Sequence, residues 1–363
     1  MKPSVSMLAL VPDAFGGRGG IAQYNRDFLT ALVQAEVVTD ITILARHAPD
    51  PTTPPAGMVQ MPARNSRVAY TLSALVAAFR GSFQLVFCGH LFMVPLAALI
   101  ARICGAKLIV QTHGIEAWPR PSRLRRVGLE SADLVLCVSR YTRAALLSWA
   151  AMTPERVLVV PNTVREAFTT GDASRTRTEM GLEGKRVLLT VSRLDGSQRY
   201  KGQDRVIASI PDLVDNGHDV IYLIVGEGDD QPRLQELARE AGIEDRVRFL
   251  GGVKLQQLQE IYRMADLFVM PSTGEGFGIV FLEAMASGTP ALGLRSTGAV
   301  DALADGHLGT ITTEQELPFS IARILAAAAP DPRTLAEAVR DRFGRVVFVR
   351  SAAEAIERVL EPA

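Results

Sequence analysis

The stretch Leu267-Phe-Val-Met-Pro-Ser-Thr-Gly-Glu-Gly-Phe-Gly-Ile-Val-Phe-Leu-Glu283 opens on four apolar residues and turns through glycines at 274, 276 and 278. It then runs on as a helical pattern. The apolar run is short and does not alternate. It predicts a strand covered on both faces, the kind that parallel sheets contain. The helical pattern, Ile279 to Ser287, follows at once, so the stretch reads as a strand–loop–helix unit.

The same unit recurs in both directions. Strand runs are read at Arg186–Ser192, Val220–Gly226, Val247–Leu250 and Pro290–Leu294, with helical stretches at Gly202–Asn216, Pro232–Ala241 and Leu255–Met264. Towards the start of the chain the strand runs are Val5–Val11, Ile41–Ala45, Leu85–Cys88, Lys107–Thr112, Leu134–Ser139 and Val157–Val160. Helices are expected at Ile21–Gln34, Ala69–Phe79 and Tyr141–Trp149, and a last one at Ala352–Leu360. Two such series, joined near residues 162–180, predict an α/β protein of two doubly wound, Rossmann-like domains. The expected boundaries are 1–164, 165–345 and a terminal helix within 346–363, and 363 residues at about 150 per domain agree with two domains.

Composition narrows the class. Apolar residues make up 48% and charged residues 21%, so the chain can bury real cores. Cys88, Cys104 and Cys137 lie far apart without metal-ligand spacing, which excludes a disulfide scaffold and a zinc knuckle and fits a reducing compartment. Lys and Arg number 39, as do Asp and Glu, so whole-chain charge does not point to nucleic acid. The charge is unevenly spread, however: residues 1–165 hold 17 basic and 9 acidic side chains, and the remainder 22 and 30. The two halves are expected to meet different partners. Leu85–Ala101 is the longest apolar stretch, but Gly89, His90 and Pro95 interrupt it, and it falls short of the roughly 20 residues of a membrane helix. It reads as strand, turn and helix, and neither a spanning nor an export segment is expected.

Three loops carry the candidate chemistry. In the first, Gly274, Gly276 and Gly278 admit close backbone approach, and amides around Phe277, Gly278, Ile279 and Val280 at the helix start can meet an anion. Glu275 in the loop and Glu283 on the helix would repel phosphates head-on, but beside them would accept hydrogen bonds from sugar hydroxyls. A Glu-x7-Glu spacing has no mechanism by itself, and its setting supplies one. The second loop is Ser192-Arg-Leu-Asp-Gly-Ser-Gln-Arg-Tyr-Lys-Gly202, also at a strand end. Arg193 and Lys201 at its two ends suit a diphosphate, one as a fork and one as a point charge, while Arg199 reads as solvated. The third is Phe15-Gly-Gly-Arg-Gly-Gly20 after the first strand. Its glycines are out of register with G-x-G-x-x-G and no acidic residue ends the second strand, so a Rossmann dehydrogenase is not expected.

The turns Val225-Gly-Glu-Gly-Asp-Asp230 and Phe249-Leu-Gly-Gly-Val253 could border a nucleobase, and His113 closes the strand Lys107–Thr112. Arg120, Arg123, Arg125 and Arg126 cluster after Trp118, a pattern that attracts anionic lipid headgroups or a lipid pyrophosphate and that a solvated helix face would share. There is no Asp-x-Asp to hold a divalent ion against a diphosphate, so no metal site is expected.

Together these motifs resemble the retaining glycosyltransferases of family 4, with the GT-B fold of two Rossmann-like domains facing a deep cleft. The likeness is strongest from Val187 to Val300. It implies that Arg193 and Lys201 hold the donor diphosphate, that Glu275 contacts donor-sugar hydroxyls and that Glu283 contacts the nucleotide ribose. It also implies that Gly17 and neighbouring amides close over the phosphates or acceptor, that His113 lies by the sugar, and that Gly252 and Val253 border the base. The family's last helix crosses back to the first domain, and Ala352–Leu360 is the candidate. Where members often carry Pro-Asn-Gly-Val-Asp, this chain has Pro161-Asn-Thr-Val-Arg165, and where they often carry Gly-Gly it has Arg295-Ser-Thr-Gly298.

The resemblance implies transfer of a mannose- or glucose-type hexose from a GDP- or UDP-linked donor to a saccharide or polyprenyl-linked acceptor, without cofactor or metal. The expected place is the cytoplasm, at the inner face of its membrane, in polysaccharide or glycoconjugate biosynthesis. A nucleotide-sugar epimerase would share the fold but transfers no sugar. A non-catalytic bilobal sugar-binding protein would have no use for Arg193 with Lys201.

Overall fold

The computed structural model describes residues 5–50, 52–328 and 330–361. The chain divides into two compact units, residues 1–163 together with 346–363, and residues 164–345.

The first unit holds β1 (Ser6–Val11), β2 (Asp40–Ala45), β3 (Met58–Met61), β4 (Leu85–Cys88), β5 (Lys107–Thr112), β6 (Leu134–Cys137) and β7 (Val157–Val159). These strands pair in parallel in the order β3-β2-β1-β4-β5-β6-β7. Its helices include α1 (Gly20–Gln34), α2 (Arg67–Arg80), α3 (Val94–Cys104), α4 (Arg123–Glu130) and α5 (Arg140–Leu147). The central strands are buried along nearly their whole length, as continuous apolar runs require when helices cover both faces. Leu85–Ala101 folds as strand, turn and helix.

The second unit adds α6 (Ser174–Glu179), β8 (Arg186–Val191), α7 (Gln203–Asp215), β9 (Val220–Val225), α8 (Gln231–Glu240), β10 (Val247–Gly251), α9 (Leu255–Met264) and β11 (Leu267–Met270). It continues with α10 (Ile279–Ala286), β12 (Ala291–Leu294), α11 (Ala299–Ala302), β13 (Thr310–Thr312), α12 (Leu317–Ala326) and α13 (Pro332–Phe343). The sheet is again parallel, in the order β10-β9-β8-β11-β12-β13.

The strand order places the functional loops. In each sheet the chain starts at a middle strand, winds outward to one side, and returns to the other side of its starting strand. The reversal falls between β1 and β4 in one unit and between β8 and β11 in the other. Loops on either side of such a reversal diverge and leave a crevice beyond the carboxyl ends of the strands.

Several elements differ from the sequence reading. The edge strand β3 has an alternating exposure, with no continuous apolar run to betray it. Helices α12 and α13 were not anticipated, although Pro332 follows Asp331, whose Oδ2 accepts a hydrogen bond from the Thr334 amide at 2.9 Å as an N-cap. The last helix, α14, spans Arg345–Leu360 and begins seven positions before the expected Ala352. Val346, Val347 and Val349 lower helix propensity locally, and packing overrides it. Phe348 is buried against Tyr24 of α1, with ring centroids 5.8 Å apart. Residues 346–363 thus belong to the first unit by their contacts.

Candidate active site

In the second unit, the loops after β8 and β11 flank the reversal and are joined to each other. The Thr273 amide donates to the Tyr200 carbonyl at 2.9 Å. Gly202 lies so close to Pro271 that a Cβ there would sit 2.4 Å from its carbonyl oxygen, and its φ of +83° also favours glycine. Across this seam the Lys201 ammonium donates to Glu275 Oε2 at 2.5 Å, both side chains being largely enclosed. The ammonium also stands over the Tyr200 ring, 5.5 Å from its centroid. Burial raises the Tyr200 phenol above its ordinary range, with Lys201, Glu275 and Arg193 all close enough to act on it. Arg193, Lys201 and Glu275 therefore share one neighbourhood, and the Arg193 side chain is exposed.

The glycine loop is held from behind. The Glu275 amide donates to Thr297 Oγ1 at 2.9 Å, the Gly298 amide to the Glu275 carbonyl at 2.8 Å, and Ser296 Oγ to the Ser272 carbonyl at 2.7 Å. Gly276, Phe277 and Gly278 are buried, and Ile279 is half-buried at the start of α10. The helix has no side-chain cap, so its first-turn amides keep the positive end of the dipole available to an anion.

Glu283 stands apart from this cluster. It is buried in the second turn of α10, where Arg165 Nη2 donates to Oε1 at 2.6 Å and the Tyr262 hydroxyl to Oε2 at 3.1 Å. Burial raises its carboxyl above the ordinary range and Arg165 pulls it back. The Arg165 guanidinium stacks over Phe168, 4.7 Å from the ring centroid. On the other side of β8, the Gly252 amide donates to Glu227 Oε1 at 3.1 Å, which ties the Gly252–Val253 turn to the loop after β9. Arg199 is exposed, as read, and donates to the buried Asp230 at 2.9 Å, where Arg233 also binds.

In the first unit, the loops after β1, β4 and β5 gather at the other reversal. Gly17 is buried: a Cβ would lie 2.5 Å from that of Asp13, its amide donates to Ala14 and its carbonyl accepts from Arg26 at 2.8 Å. The exposed glycines are Gly19 and Gly20. Gly17 thus shapes the loop, and the amides that face solvent come after it.

His113 Nε2 lies 2.9 Å from the Gly89 carbonyl, so Nε2 carries the proton and Nδ1 keeps its lone pair. Its amide donates to Glu116 Oε1 at 2.5 Å. The ring is enclosed by Tyr24 and His90, with centroids at 5.4 and 5.9 Å. Burial pushes both histidines down to about 4, so both are neutral at pH 7.

Two family models match the chain: "Glycosyltransferase Family 4" over residues 18–168 and "Glycosyl transferases group 1" over residues 173–344. The chain belongs to the family 4, group 1 glycosyltransferases. It is 36% identical over 261 residues to a GDP-mannose-dependent alpha-(1-6)-phosphatidylinositol monomannoside mannosyltransferase of Mycolicibacterium smegmatis, covering 67% of this chain and 66% of that one. It is 32% identical to a D-inositol 3-phosphate glycosyltransferase of Geodermatophilus obscurus, covering 71% and 59%. The matches thus span about 60 to 66% of these curated relatives' length. Among solved structures, Anabaena HepE in complex with UDP superposes with a TM-score of 0.79 at 21% identity, covering 98% of this chain and 100% of that one. The chain has the GT-B fold of two Rossmann-like domains.

Several partners of the site are not marked in the sequence. Tyr200 lies inside the loop Ser192–Gly202 but carries no charge to mark it. Arg165 was visible only as a departure from Pro-Asn-Gly-Val-Asp. His90 was read merely as an interruption of an apolar stretch, and nothing local links it to His113.

Proposed function

We propose that this glycosyltransferase moves a mannose- or glucose-type hexose from a nucleotide-diphosphate sugar to a saccharide or lipid-linked acceptor, with retention of configuration. The observation that carries the reading is the Lys201–Glu275 contact at 2.5 Å across two loops that flank a strand-order reversal. It sets an ammonium for a diphosphate beside a carboxylate for sugar hydroxyls, with Arg193 and the amides of Gly276, Phe277, Gly278 and Ile279 completing the anion site. Glu283 uses two of about four acceptor positions internally and keeps the others for ribose hydroxyls. Gly252 and Val253 border the base. In the first domain His113 Nδ1 accepts from a sugar hydroxyl, and the amides after Gly17 close over the phosphates or acceptor.

In the reaction the bond between the anomeric carbon and the leaving phosphate oxygen breaks, and the acceptor oxygen bonds to that carbon on the same face. The acceptor's proton passes to the departing phosphate. Negative charge grows on the phosphate, where Arg193, Lys201 and the dipole of α10 stabilise it, so no divalent ion or cofactor is required. The names of the relatives support a nucleotide-sugar donor and a lipid or saccharide acceptor. The acceptor binds the basic first domain. There Arg120 and Arg123 are exposed, Arg125 stacks on Phe92 at 4.7 Å and Arg126 pairs with Glu130 at 3.6 Å. The workplace is the cytoplasmic face of a membrane.

A thermal-shift screen of GDP, UDP, ADP and dTDP tests the donor site, because a ligand of the folded form raises its midpoint. One diphosphate should shift the wild type and not Lys201→Ala, and turnover with that donor should survive chelation. No shift with any nucleotide, or strict dependence on Mg²⁺, would sink the reading.

A further inference from the structure

The turn after β10 is tied to the loop after β9 at two points. The Gly226 amide donates to the Gly251 carbonyl at 2.9 Å, and the Gly252 amide to Glu227 Oε1 at 3.1 Å. The loop after β9 is fixed in turn to the loop after β8. The Leu194 amide donates to the Glu227 carbonyl at 2.9 Å, and the Leu194 carbonyl lies so close to Gly228 that no Cβ fits there. Glu227 is therefore an exposed side chain on a fixed backbone. Glycine at 252 leaves it room, since a Cβ there would stand 3.0 Å from Glu227 Oε1.

Two polar groups at this place have no partner among the described residues. Glu227 Oε2 accepts no hydrogen bond, and the Val253 amide donates none. Glu227 Oε1 also keeps a lone pair beyond the one that Gly252 uses. The turn thus sets a single donor beside a carboxylate that can accept from two more. In the sheet β10 and β9 lie next to β8, so this turn is two strand spacings, about 10 Å, from the loop that carries Arg193 and Lys201. A ribose and a phosphate bridge that distance.

Such a pair of groups discriminates between nucleobases. Guanine presents in a row one acceptor, O6, and two donors, N1–H and N2–H. A backbone amide suits the first, and a carboxylate suits the other two together. Uracil, adenine and cytosine each offer a carboxylate a single donor along that edge. In uracil this donor stands between two carbonyl oxygens, one of which is set against the carboxylate whichever way the base is turned.

We propose that Glu227 selects a guanine nucleotide, its carboxylate taking N1–H and N2–H of the base while the Val253 amide donates to O6. The proposal rests on the donor reading above and adds to it the base, which that reading leaves between GDP and UDP.

The test is isothermal titration of the full chain with GDP, inosine diphosphate and UDP, for the wild type and for Glu227→Gln. Wild type should bind GDP about tenfold or more tighter than inosine diphosphate, which lacks only the N2 amino group, because one hydrogen bond to a charged group is lost. UDP should also bind more weakly than GDP. Glu227→Gln keeps an oxygen for the Gly252 amide at an exposed position, so its melting midpoint without nucleotide should match that of the wild type. It should lose about tenfold or more in affinity for GDP and little for UDP. Lys201→Ala should weaken all three nucleotides alike. Equal binding of GDP and inosine diphosphate by the wild type would overturn the proposal, as would the same loss for GDP and UDP in Glu227→Gln. Binding of UDP ahead of GDP, abolished by Lys201→Ala, would sink this proposal and leave the donor-site reading standing. Absence of binding by all three nucleotides would sink both.

Discussion

The two glycine loops of this chain follow the strands at which their sheets reverse, yet they are held in opposite ways. Gly276–Gly278 is buried, backed by Thr297 and Gly298, and joined to the loop that carries Lys201. Gly19–Gly20 is exposed, and a Cβ at either position would meet no atom within 4 Å. One loop is set before any ligand arrives. The other lies open to solvent at the start of α1. On the proposed function, stabilising a developing charge rewards groups that need no reorganisation, which a buried loop provides. On the same function, admitting a bulky substrate rewards an unpacked approach, which the exposed glycines leave.

The largest effect expected from breaking the rigid side is at Arg165. Arg165→Met leaves Glu283 buried without its cation and should cost about 3 kcal/mol or more of stability, read by denaturant unfolding. It also has a pH signature. Burial already raises the Glu283 carboxyl, and without Arg165 it rises further. The folded form then keeps its proton to a higher pH than the unfolded chain. Stability should therefore be greatest in acid and fall as pH rises above the ordinary carboxyl value of about 4.5. A flat profile would mean that Arg165 does not govern this carboxylate.

Lys201→Ala comes next. It removes a cation from the proposed diphosphate site and leaves Glu275 unpaired, so single-turnover transfer should slow on the order of 100-fold or more. Turnover within a few-fold of wild type would show that Lys201 does not feel the leaving group.

The smallest effect compares the loops directly. Gly278 and Gly19 have nearly equal φ, +91° and +89°. A Cβ on Gly278 would lie 2.6 Å from the Phe281 ring, whereas one on Gly19 meets open space. Gly278→Ala should cost about 2 kcal/mol or more and abolish the nucleotide-induced shift, and Gly19→Ala about 1 kcal/mol with the shift intact. Equal losses would mean that the two loops are held alike.

Much of this was legible in the sequence. The strand runs at Leu85–Cys88, Lys107–Thr112 and Leu267–Met270 fall where the apolar runs predict them, because a strand covered on both faces is apolar along most of its length. The loops with Arg193, Lys201 and Glu275 could be singled out because glycine and charge clustered directly after such runs. Glu283 was legible as a helix residue but its partners were not. Arg165 lies 118 positions away and Tyr262 lies 21 positions away, and no local pattern records such a meeting.

The sequence by itself determined the alternation of strands and helices, and with it the two parallel sheets, since continuous apolar runs separated by helical periods have few other ways to bury themselves. Only the tertiary structure decided which glycine packs and which is exposed. The same holds for the carboxylate that pairs with Lys201, and for the joining of residues 346–363 to the first unit. It also turned Val68, Leu72, Val76 and Phe79 of α2 outward while Tyr70 packs inward. Those outcomes depend on contacts between residues far apart in the chain, whose energies come from fit and enclosure, and neither is written in any short window of sequence.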